Sequence, residues 1–310
     1  MTASACPIPA LDTYKPFVTF SRGAGEEAPM ASEAGQRMRR LVVGVDGSEG
    51  AWTAVRAAIR LAKPHRARVD ALCVVPTMPE FARHPEAARA LIERMREDAR
   101  TYVDRAQAAI VEAGLESGAT VLEGHPAEEI CAYVARTVPD LTVLGSRGLG
   151  AQRIHLVGSV GYAAAHFATS PVLIVRQDHP VRRILTALDG SAPAARASEW
   201  AGAIAKSHGS KVTLLYVIPQ ETEEVKFTVS RGVGEPFLGP IAARLADRGV
   251  AVERRVEYGR PAATIIHTAK EGYDLVVLGH QGRGALPAFA LGGVTDKVLH
   301  YAPSSTLVVR

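Results

Sequence analysis

The stretch GSRGLGAQRIHLVGS, from Gly145 to Ser159, decides how this chain is interpreted. It contains a GxxG pair that is followed, after nine residues, by a Gly-Ser pair. A second stretch, GHQGRGALPAFALGG from Gly279 to Gly293, has almost the same glycine spacing. This echo indicates that a larger unit of the chain is repeated.

The repeat extends over most of the chain and keeps one order. LVVGVDGS at Leu41–Ser48 returns as ILTALDGS, GHPAEEI returns as GRPAATI, and DLTVLGSRGLG returns as DLVVLGHQGRG. From Gly145 onward the two copies align without a gap at a constant offset of 134 residues. Several matching pairs in the same order predict a tandem duplication of a unit about one small domain long.

The repeat also predicts the domain organisation. Residues 1–38 have no counterpart in the second copy and no clear periodicity, which predicts an irregular N-terminal extension. An arm that docks on the neighbouring copy is the alternative. The first domain is predicted at 39–177 and the second at 181–310. The short junction RQDHPVRR cannot be a long flexible tether, so we expect the two domains to pack closely.

Each copy alternates short β-branched runs with longer alanine-rich stretches. In the first copy the runs predict strands at Leu41–Asp46, Val69–Val75, Ala119–Glu123, Leu141–Gly145 and Val172–Arg176. In the second copy they predict strands at Arg183–Asp189, Lys211–Val217, Val250–Val256, Leu275–Gly279 and Thr306–Arg310. Helices are predicted after Ser48, over about Pro85–Ala113, from Pro126 and from Ser159. This alternation indicates an α/β fold with parallel sheets that are covered on both faces.

Composition and charge exclude several classes of protein. Hydrophobic residues make up 47% and charged residues 22%, which is typical of a soluble globular chain. The net charge of +4 comes without a Lys/Arg stripe, so no nucleic-acid partner is predicted. Cys6, Cys73 and Cys131 lack CxxC spacing and suit a reducing compartment. Neither a secretory signal nor an apolar run of ~18 residues is present, so we expect a cytoplasmic protein without a membrane partner.

The glycine stretch is well placed to hold a phosphate. Gly145 is predicted to end the fourth strand, and open parallel sheets bind ligands at the carboxyl ends of their strands. Gly158 and Ser159 are predicted to start the fourth helix, where unpaired N–H groups and the helix dipole favour an anion. A simple turn at Gly145 and Gly148 with an ordinary N-cap at Ser159 is the alternative. The recurrence of the spacing in both copies favours the phosphate site.

Two better-known phosphate motifs are excluded. No Gly-Lys-Ser/Thr ends the loop, and a GxGxxG fingerprint would follow the first strand rather than the fourth. The first strand is instead predicted to end in Asp46, with Asp189 as its counterpart. A carboxylate there can accept hydrogen bonds from a ribose hydroxyl or a base amine. An Asx turn or N-cap in the run Asp-Gly-Ser is the alternative, and one residue can serve both purposes.

In combination these residues resemble the universal stress protein family. The resemblance spans about Arg40 to Arg310 and rests on Asp46-Gly47-Ser48, GHP from Gly124, GSRG from Gly145, Gly158-Ser159 and the closing PVLIVR. It implies two fused Rossmann-like domains of the adenine nucleotide alpha hydrolase-like kind. Each domain would have a five-stranded parallel sheet flanked by helices. The ATP-binding branch of the family would also bind an adenine nucleotide.

The resemblance assigns the first site residue by residue. Asp46 and the backbone of Val74 would hold the adenosine end, while ribose and phosphates would be held by Gly145, Gly148, Gly158, Ser159 and Val160. Arg147 is our own addition as a phosphate contact, with a solvated arginine as the alternative. ATP is therefore the expected cofactor, and an accompanying Mg²⁺ ion is left open.

The second copy differs in detail. It keeps the corresponding positions Asp189, Val217, Gly279, Gly282 and Gly292. The serine is replaced by Gly293, although Thr295 offers a hydroxyl one turn later, where the first copy has Gly161. Its loop is also bulkier, because it carries Pro287 and Phe289. We therefore expect one good nucleotide site in the first copy and a weaker one in the second.

We thus expect an adenine-nucleotide-binding regulatory protein of the stress response. A slow ATPase or nucleotidyl-transfer enzyme on the same fold and a nucleotide-free interaction scaffold are the alternatives. No base, lysine or metal-binding carboxylate pair is apparent near the loop, so no catalytic or metal residue is predicted. His166 and His300 match across the copies and are predicted to pack helices.

The last strand of each copy is apolar, and an exposed strand edge invites pairing. We therefore expect these two strands to pair at their edges and form an internal pseudo-dimer. A homodimer of the whole chain is a further expectation.

Overall fold

The structure, a computed structural model, describes residues 38–77, 85–148, 157–219, 234–282 and 291–310. The predicted N-terminal extension lies outside these residues apart from Met38, which is buried in the core. Pro287 and Phe289 of the second loop also lie outside them. In the part of the chain that is described, no helix has both the length and the apolar character needed to cross a membrane.

The first half alternates strands and helices as predicted. Its strands are β1 (Arg40–Gly44), β2 (Arg68–Pro76), β3 (Ser117–Gly124), β4 (Leu141–Gly145) and β5 (Val172–Val175). Its helices are α1 (Glu49–Ala62), α2 (Pro85–Glu112), α3 (Pro126–Thr137) and α4 (Ser159–Phe167). A short 3₁₀ turn, Lys63–His65, follows α1.

The second half repeats this arrangement. Its strands are β6 (Arg183–Leu188), β7 (Lys211–Pro219), β8 (Ala251–Gly259), β9 (Leu275–Gly279) and β10 (Ser305–Val309). Its helices are α5 (Ala192–His208), α6 (Glu235–Asp247), α7 (Pro261–Ala269) and α8 (Gly293–Tyr301). The second helix of this half, α6, has 13 residues against 28 in α2, in agreement with the shorter chain available to it.

The predicted ends of β1 and β6 are wrong, and the predicted ends of β8 and β7 fall three and two residues short of those observed. β1 ends at Gly44 and β6 at Leu188, so Asp46 and Asp189 lie beyond the strands rather than at their tips. In both places the aspartate side chain accepts a hydrogen bond from the backbone two residues later. This turn bends the chain into the following helix and ends the strand.

Each half forms a doubly wound parallel sheet. The strand orders are β3-β2-β1-β4-β5 and β8-β7-β6-β9-β10, and all pairs within a half are parallel. Parallel neighbours need crossover connections, which the helices supply on both faces of the sheet. The predicted fold class is therefore confirmed.

The two sheets join into one sheet of ten strands. β5 and β10 pair in antiparallel orientation, with Leu173 opposite Leu307 and Val172 opposite Val308. The predicted edge pairing of the last strands is thus confirmed. Because the pair is antiparallel, the carboxyl ends of the parallel strands lie at opposite edges of the joined sheet in the two halves.

Arginines that follow the last strands also tie the halves together. Arg176 donates hydrogen bonds to the carbonyls of Leu299 (2.8 Å) and His300 (3.1 Å) at the end of α8. Arg310 donates to the carbonyl of His166 at the end of α4. Cations at helix C-termini satisfy carbonyls that lack an intrahelical donor.

A tyrosine from the first half completes the contact between α4 and α8. The ring of Tyr162 packs against His166 and His300, with centroid distances of 4.5 and 4.8 Å. The two histidines therefore pack helices, as predicted.

Candidate functional site

Asp46 connects β1 to α1 at the carboxyl edge of the first sheet. Its Oδ1 atom accepts hydrogen bonds from the backbone N–H of Ser48 (3.0 Å) and from the Ser48 hydroxyl (2.6 Å). Ser48 in turn caps α1 by accepting the N–H of Ala51 at 3.1 Å. Oδ1 thus serves the Asx turn that the run Asp-Gly-Ser allowed. From the sequence, Ser48 is identified only as part of this turn. The structure shows that its N–H and hydroxyl hold the Asp46 carboxylate in place.

The second carboxylate oxygen, Oδ2, faces the glycine loop. A β-carbon at Gly148 would come closer than 3.0 Å to Asp46 Oδ2, a distance that real β-carbons essentially never show. A β-carbon at Gly145 would lie 2.5 Å from the carbonyl oxygen of Gly50 at the start of α1. Both glycines are therefore required for the close packing of the loop, in addition to any contact with a ligand.

The start of α4 meets this loop. The N–H of Gly158 donates to the carbonyl of Ser146 at 2.9 Å, so the two described ends of the loop are joined. No side chain from the described part of the chain caps α4, and the first intrahelical bond runs from the N–H of Tyr162 to the carbonyl of Gly158. The N–H groups of Ser159 and Val160 precede this bond and have no acceptor within the helix. Such a helix start attracts anions.

Positive charge lies close to the same loop. Arg147 is exposed within it. Burial, and then the nearby charge of Arg147, lower the pKa of Arg176, which follows β5. Two guanidinium groups therefore lie near the glycine loop, and their potential favours an anionic ligand.

Val74 lies on β2, beside β1, and its side chain is partly buried against the core. Its neighbour Cys73 feels the charge of Asp46. Burial, and then this carboxylate, raise the pKa of the Cys73 thiol to about 11. The predicted adenosine-binding pair is thus brought to one corner of the sheet.

The second half reproduces the main contacts. Asp189 Oδ1 accepts the N–H of Ser191 at 2.9 Å, and a β-carbon at Gly282 would come closer than 3.0 Å to Asp189 Oδ2. The N–H of Gly292 donates to the carbonyl of His280 at 2.8 Å and joins the ends of this loop. The glycine that ends β9, Gly279, packs against the backbone of Pro193 and Ala194.

The remaining positions of the second half differ in chemistry. Val217 on β7 is buried, whereas its counterpart Val74 on β2 is only partly buried. Gln281 stands where the first loop has Arg147, so the cation is missing. A β-carbon at Gly293 would meet nothing within 4 Å, so the absent serine leaves open space at the start of α8.

Thr295 does not offer the hydroxyl that the sequence suggested. The residue is buried, and its Oγ1 donates to the carbonyl of Gly279 at 2.8 Å. The side chain at this position points to the end of the strand. Gly161, its counterpart in the first half, therefore removes no donor from the first site.

Neither half brings a metal centre together within the described residues. No group of three or more His, Cys, Asp or Glu side chains in the described ranges could hold a metal ion. The arrangement instead combines a fixed carboxylate, a glycine loop and an uncapped helix start.

The chain was compared with models of known protein families, and one family matches both halves. The family model described as "Universal stress protein family" matches residues 38–176 and again residues 180–310. A universal stress protein of Mycolicibacterium smegmatis is 31% identical over 290 residues, which cover 87% of this chain and 96% of that protein. Universal stress protein Rv1996 of Mycobacterium tuberculosis is 29% identical over 301 residues, which cover 87% of this chain and 94% of that protein.

Solved structures support the same fold. A universal stress protein from Archaeoglobus fulgidus superimposes with a TM-score of 0.69 at 21% identity, and the match covers 87% of this chain and 98% of that one. A protein from Pseudomonas aeruginosa, described as functionally unknown, superimposes with a TM-score of 0.62 at 18% identity and covers 90% of this chain and 94% of its own. At these identities the likeness concerns the fold.

Proposed function

Because the chain belongs to the universal stress protein family and contains two domains of it, we propose that it is an ATP-binding regulatory protein of the stress response. The observation that carries the proposal is the contact of Gly148 with Asp46 beside the uncapped start of α4, where Gly158 donates to the carbonyl of Ser146. A β-carbon at Gly148 would clash with the Asp46 carboxylate, so the glycine keeps this carboxylate in contact with the loop.

The first site divides into two ends. Asp46 Oδ2 and the backbone of Val74 would hold the adenosine through its hydroxyl and amine groups. The phosphates would lie at the start of α4, where the N–H groups and hydroxyl of Ser159 donate and Arg147 adds positive charge. A Mg²⁺ ion bound with ATP would be held mainly by phosphate oxygens.

The second site would bind the same ligand more weakly. It keeps Asp189, Gly282 and the uncapped start of α8 but lacks the serine hydroxyl and the arginine of the first site. One lost hydrogen bond to a charged group is worth about 1.5–3 kcal/mol, or at least about tenfold in affinity. The two sites should therefore fill in sequence as the ATP concentration rises.

Mass spectrometry of protein purified from cells, together with calorimetric titration of ATP, tests the proposal. We expect a co-purified adenine nucleotide and one tight site per chain, followed by a weaker one. If no nucleotide co-purifies and ATP gives neither heat nor a thermal shift, the nucleotide-free scaffold is the better description.

Incubation with ATP and Mg²⁺ separates a binding protein from an enzyme. We expect no steady turnover, because the described part of the site contains neither a general base nor a lysine beside the loop. Steady multiple turnover that is lost in Gly145→Val would instead favour slow ATP hydrolysis or nucleotidyl transfer.

The cytoplasm is the proposed compartment. Cys73 and Cys131 are both free thiols, as expected in a reducing environment. A homodimer of the whole chain remains part of the proposal, and light scattering coupled to gel filtration measures it directly.

A further inference from the structure

A cavity of about 340 Å³ lies between the two halves, and none of the described residues of the two glycine loops lines it. Its apolar lining includes Ala57 and Leu61 of α1, Leu173 of β5, Leu275 of β9 and Val181 of the connecting segment. This volume falls within the range of about 300–1,000 Å³ that is typical of small-molecule sites. The cavity is partly open to solvent, so a small molecule can enter it between the two halves.

The repeat indicates the shape of that occupant. When the helix N-caps Ser48 and Ser191 are aligned, Ala57 of α1 corresponds to Trp200 of α5. Trp200 is buried in the hydrophobic core. The first half therefore has a methyl group where the second half has an indole, and the space at Ala57 suits a flat aromatic ring.

The polar groups around the cavity are held in place by contacts of their own. Arg60 forms an ion pair with Asp178 at 2.5 Å, and its backbone carbonyl lies 3.1 Å from the His208 ring Nε2. The Oδ2 atom of Asp274 accepts the backbone N–H groups of Arg182 and Arg183 at 2.7 and 2.8 Å. These groups form a rigid rim.

Lys63 is the exception on this rim. It lines the cavity, its side chain is exposed, and it forms no ion pair with the residues that the structure describes. Arg60 is paired with Asp178, and Asp274 lies 3.3 Å from the His179 ring, so Lys63 carries the unpaired positive charge of the described lining. A single carboxylate on the ligand would balance that charge.

We propose that this cavity binds a planar aromatic molecule that carries one carboxylate. The ring lies beside Ala57 over β5 and β9, and the carboxylate pairs with Lys63. Because the lining combines α1, the connecting segment and strands of both halves, a bound molecule stabilises their association. The site is independent of the proposed nucleotide sites.

Indole-3-acetate is a suitable probe, with neutral indole as the comparison. Both are titrated by calorimetry into the full chain in saturating ATP, so that nucleotide sites are blocked. We expect one molecule of indole-3-acetate per chain and a Kd about two- to fivefold lower than that of indole, as for an exposed ion pair. In methyl NMR spectra the largest shifts should occur at Leu173 and Leu275.

Three variants locate the site. Ala57→Trp fills the cavity and should weaken indole-3-acetate binding at least tenfold while ATP binding stays unchanged. Ala108→Trp adds the same ring to an exposed position of α2 and should bind the probe normally. Lys63→Gln, at an exposed position, should remove the difference between indole-3-acetate and indole.

Four results would overturn the proposal. They are no binding at millimolar probe, undiminished binding in Ala57→Trp, indole that binds as tightly as the acid, and methyl shifts confined to residues elsewhere. If Ala57→Trp does not fold, the Lys63→Gln comparison and the methyl shifts of the unaltered chain still decide.

Discussion

Asp46 and Gly148 are in close contact at the carboxyl edge of the first sheet, because the glycine leaves room that a β-carbon would take from the carboxylate. Asp189 and Gly282 repeat the contact in the second half. The other oxygen of each aspartate is held by an Asx turn. The carboxylate is therefore held between a turn and a loop, next to the residues that are proposed to bind the phosphates.

Replacement of Gly148 by alanine tests this relationship. The added methyl group would push the loop away from Asp46, and we expect ATP affinity at the first site to fall at least about tenfold, or 1.4 kcal/mol. Calorimetric titration measures the loss.

Gly282→Ala is the matched control, because it introduces the same clash at the second site. It should remove the weak binding event and leave the tight one. Loss of the tight event in both variants would show that the tight site is not formed by the first loop alone.

A serine exchange between the helix starts tests the asymmetry of the two sites. Ser159→Gly should weaken the tight site at least about tenfold, as expected for one lost hydrogen bond to a charged group. Gly293→Ser should strengthen the weak site by a similar factor, since a side chain there meets nothing within 4 Å. Titration of each variant with ATP gives both constants, and unchanged constants would exclude a hydroxyl contact at this position.

Removal of Arg176 tests the link between the halves. Arg176→Met keeps the aliphatic stem but leaves the carbonyls of Leu299 and His300 without this donor, so we expect a loss of about 1–3 kcal/mol in unfolding free energy. Urea denaturation measures it. The exposed Arg39→Met serves as control and should change stability by less than about 0.5 kcal/mol.

The thiols of Cys73 and Cys131 should react slowly with thiol reagents. Burial raises the pKa of both Cys73 and Cys131 from 9.0 to about 11, so at pH 8 almost none of either thiol is ionised. In a Cys6→Ser background, Ellman's reagent should modify the folded chain much more slowly than the chain in urea. Equal rates in both conditions would show that the thiols are accessible and ionised.

The same thiols give a pH dependence of stability. Since the folded state holds these protons more tightly than the unfolded state, their contribution is complete below pH 9 and is lost as the pH rises toward 11. Urea denaturation between pH 8 and 11 should show stability falling with pH. Replacement of both residues by alanine should flatten this slope, even though the cavities lower stability at every pH.

Hydrophobic patterning predicts most of the fold from the sequence. The bounds of β4 and β9 are predicted as observed, because buried central strands are continuous apolar runs with glycine at their ends. The ends of β1 and β6 are missed, because the side chains of Asp46 and Asp189 bend the backbone before the apolar pattern stops.

The side-chain contacts of the candidate site are harder to predict from the sequence than the fold. The glycine spacing indicates that Thr295 places a hydroxyl near the start of α8. Only the packing shows that this hydroxyl faces the end of β9. The tie between Arg176 and α8 depends on the antiparallel pairing of β5 with β10, which brings together residues that are 123 positions apart. The cavity beside Ala57 depends on which helix faces meet, and no local pattern contains that information.

The pairing of β5 with β10 inside one polypeptide also has an evolutionary consequence. In an assembly of two identical chains, every mutation appears at both sites at once. Here a mutation reaches one half alone, while both halves are always inherited and synthesised together. The pairs Ser159 and Gly293, and Ala57 and Trp200, are such differences. Fusion thus lets one half diverge while the other keeps its original chemistry.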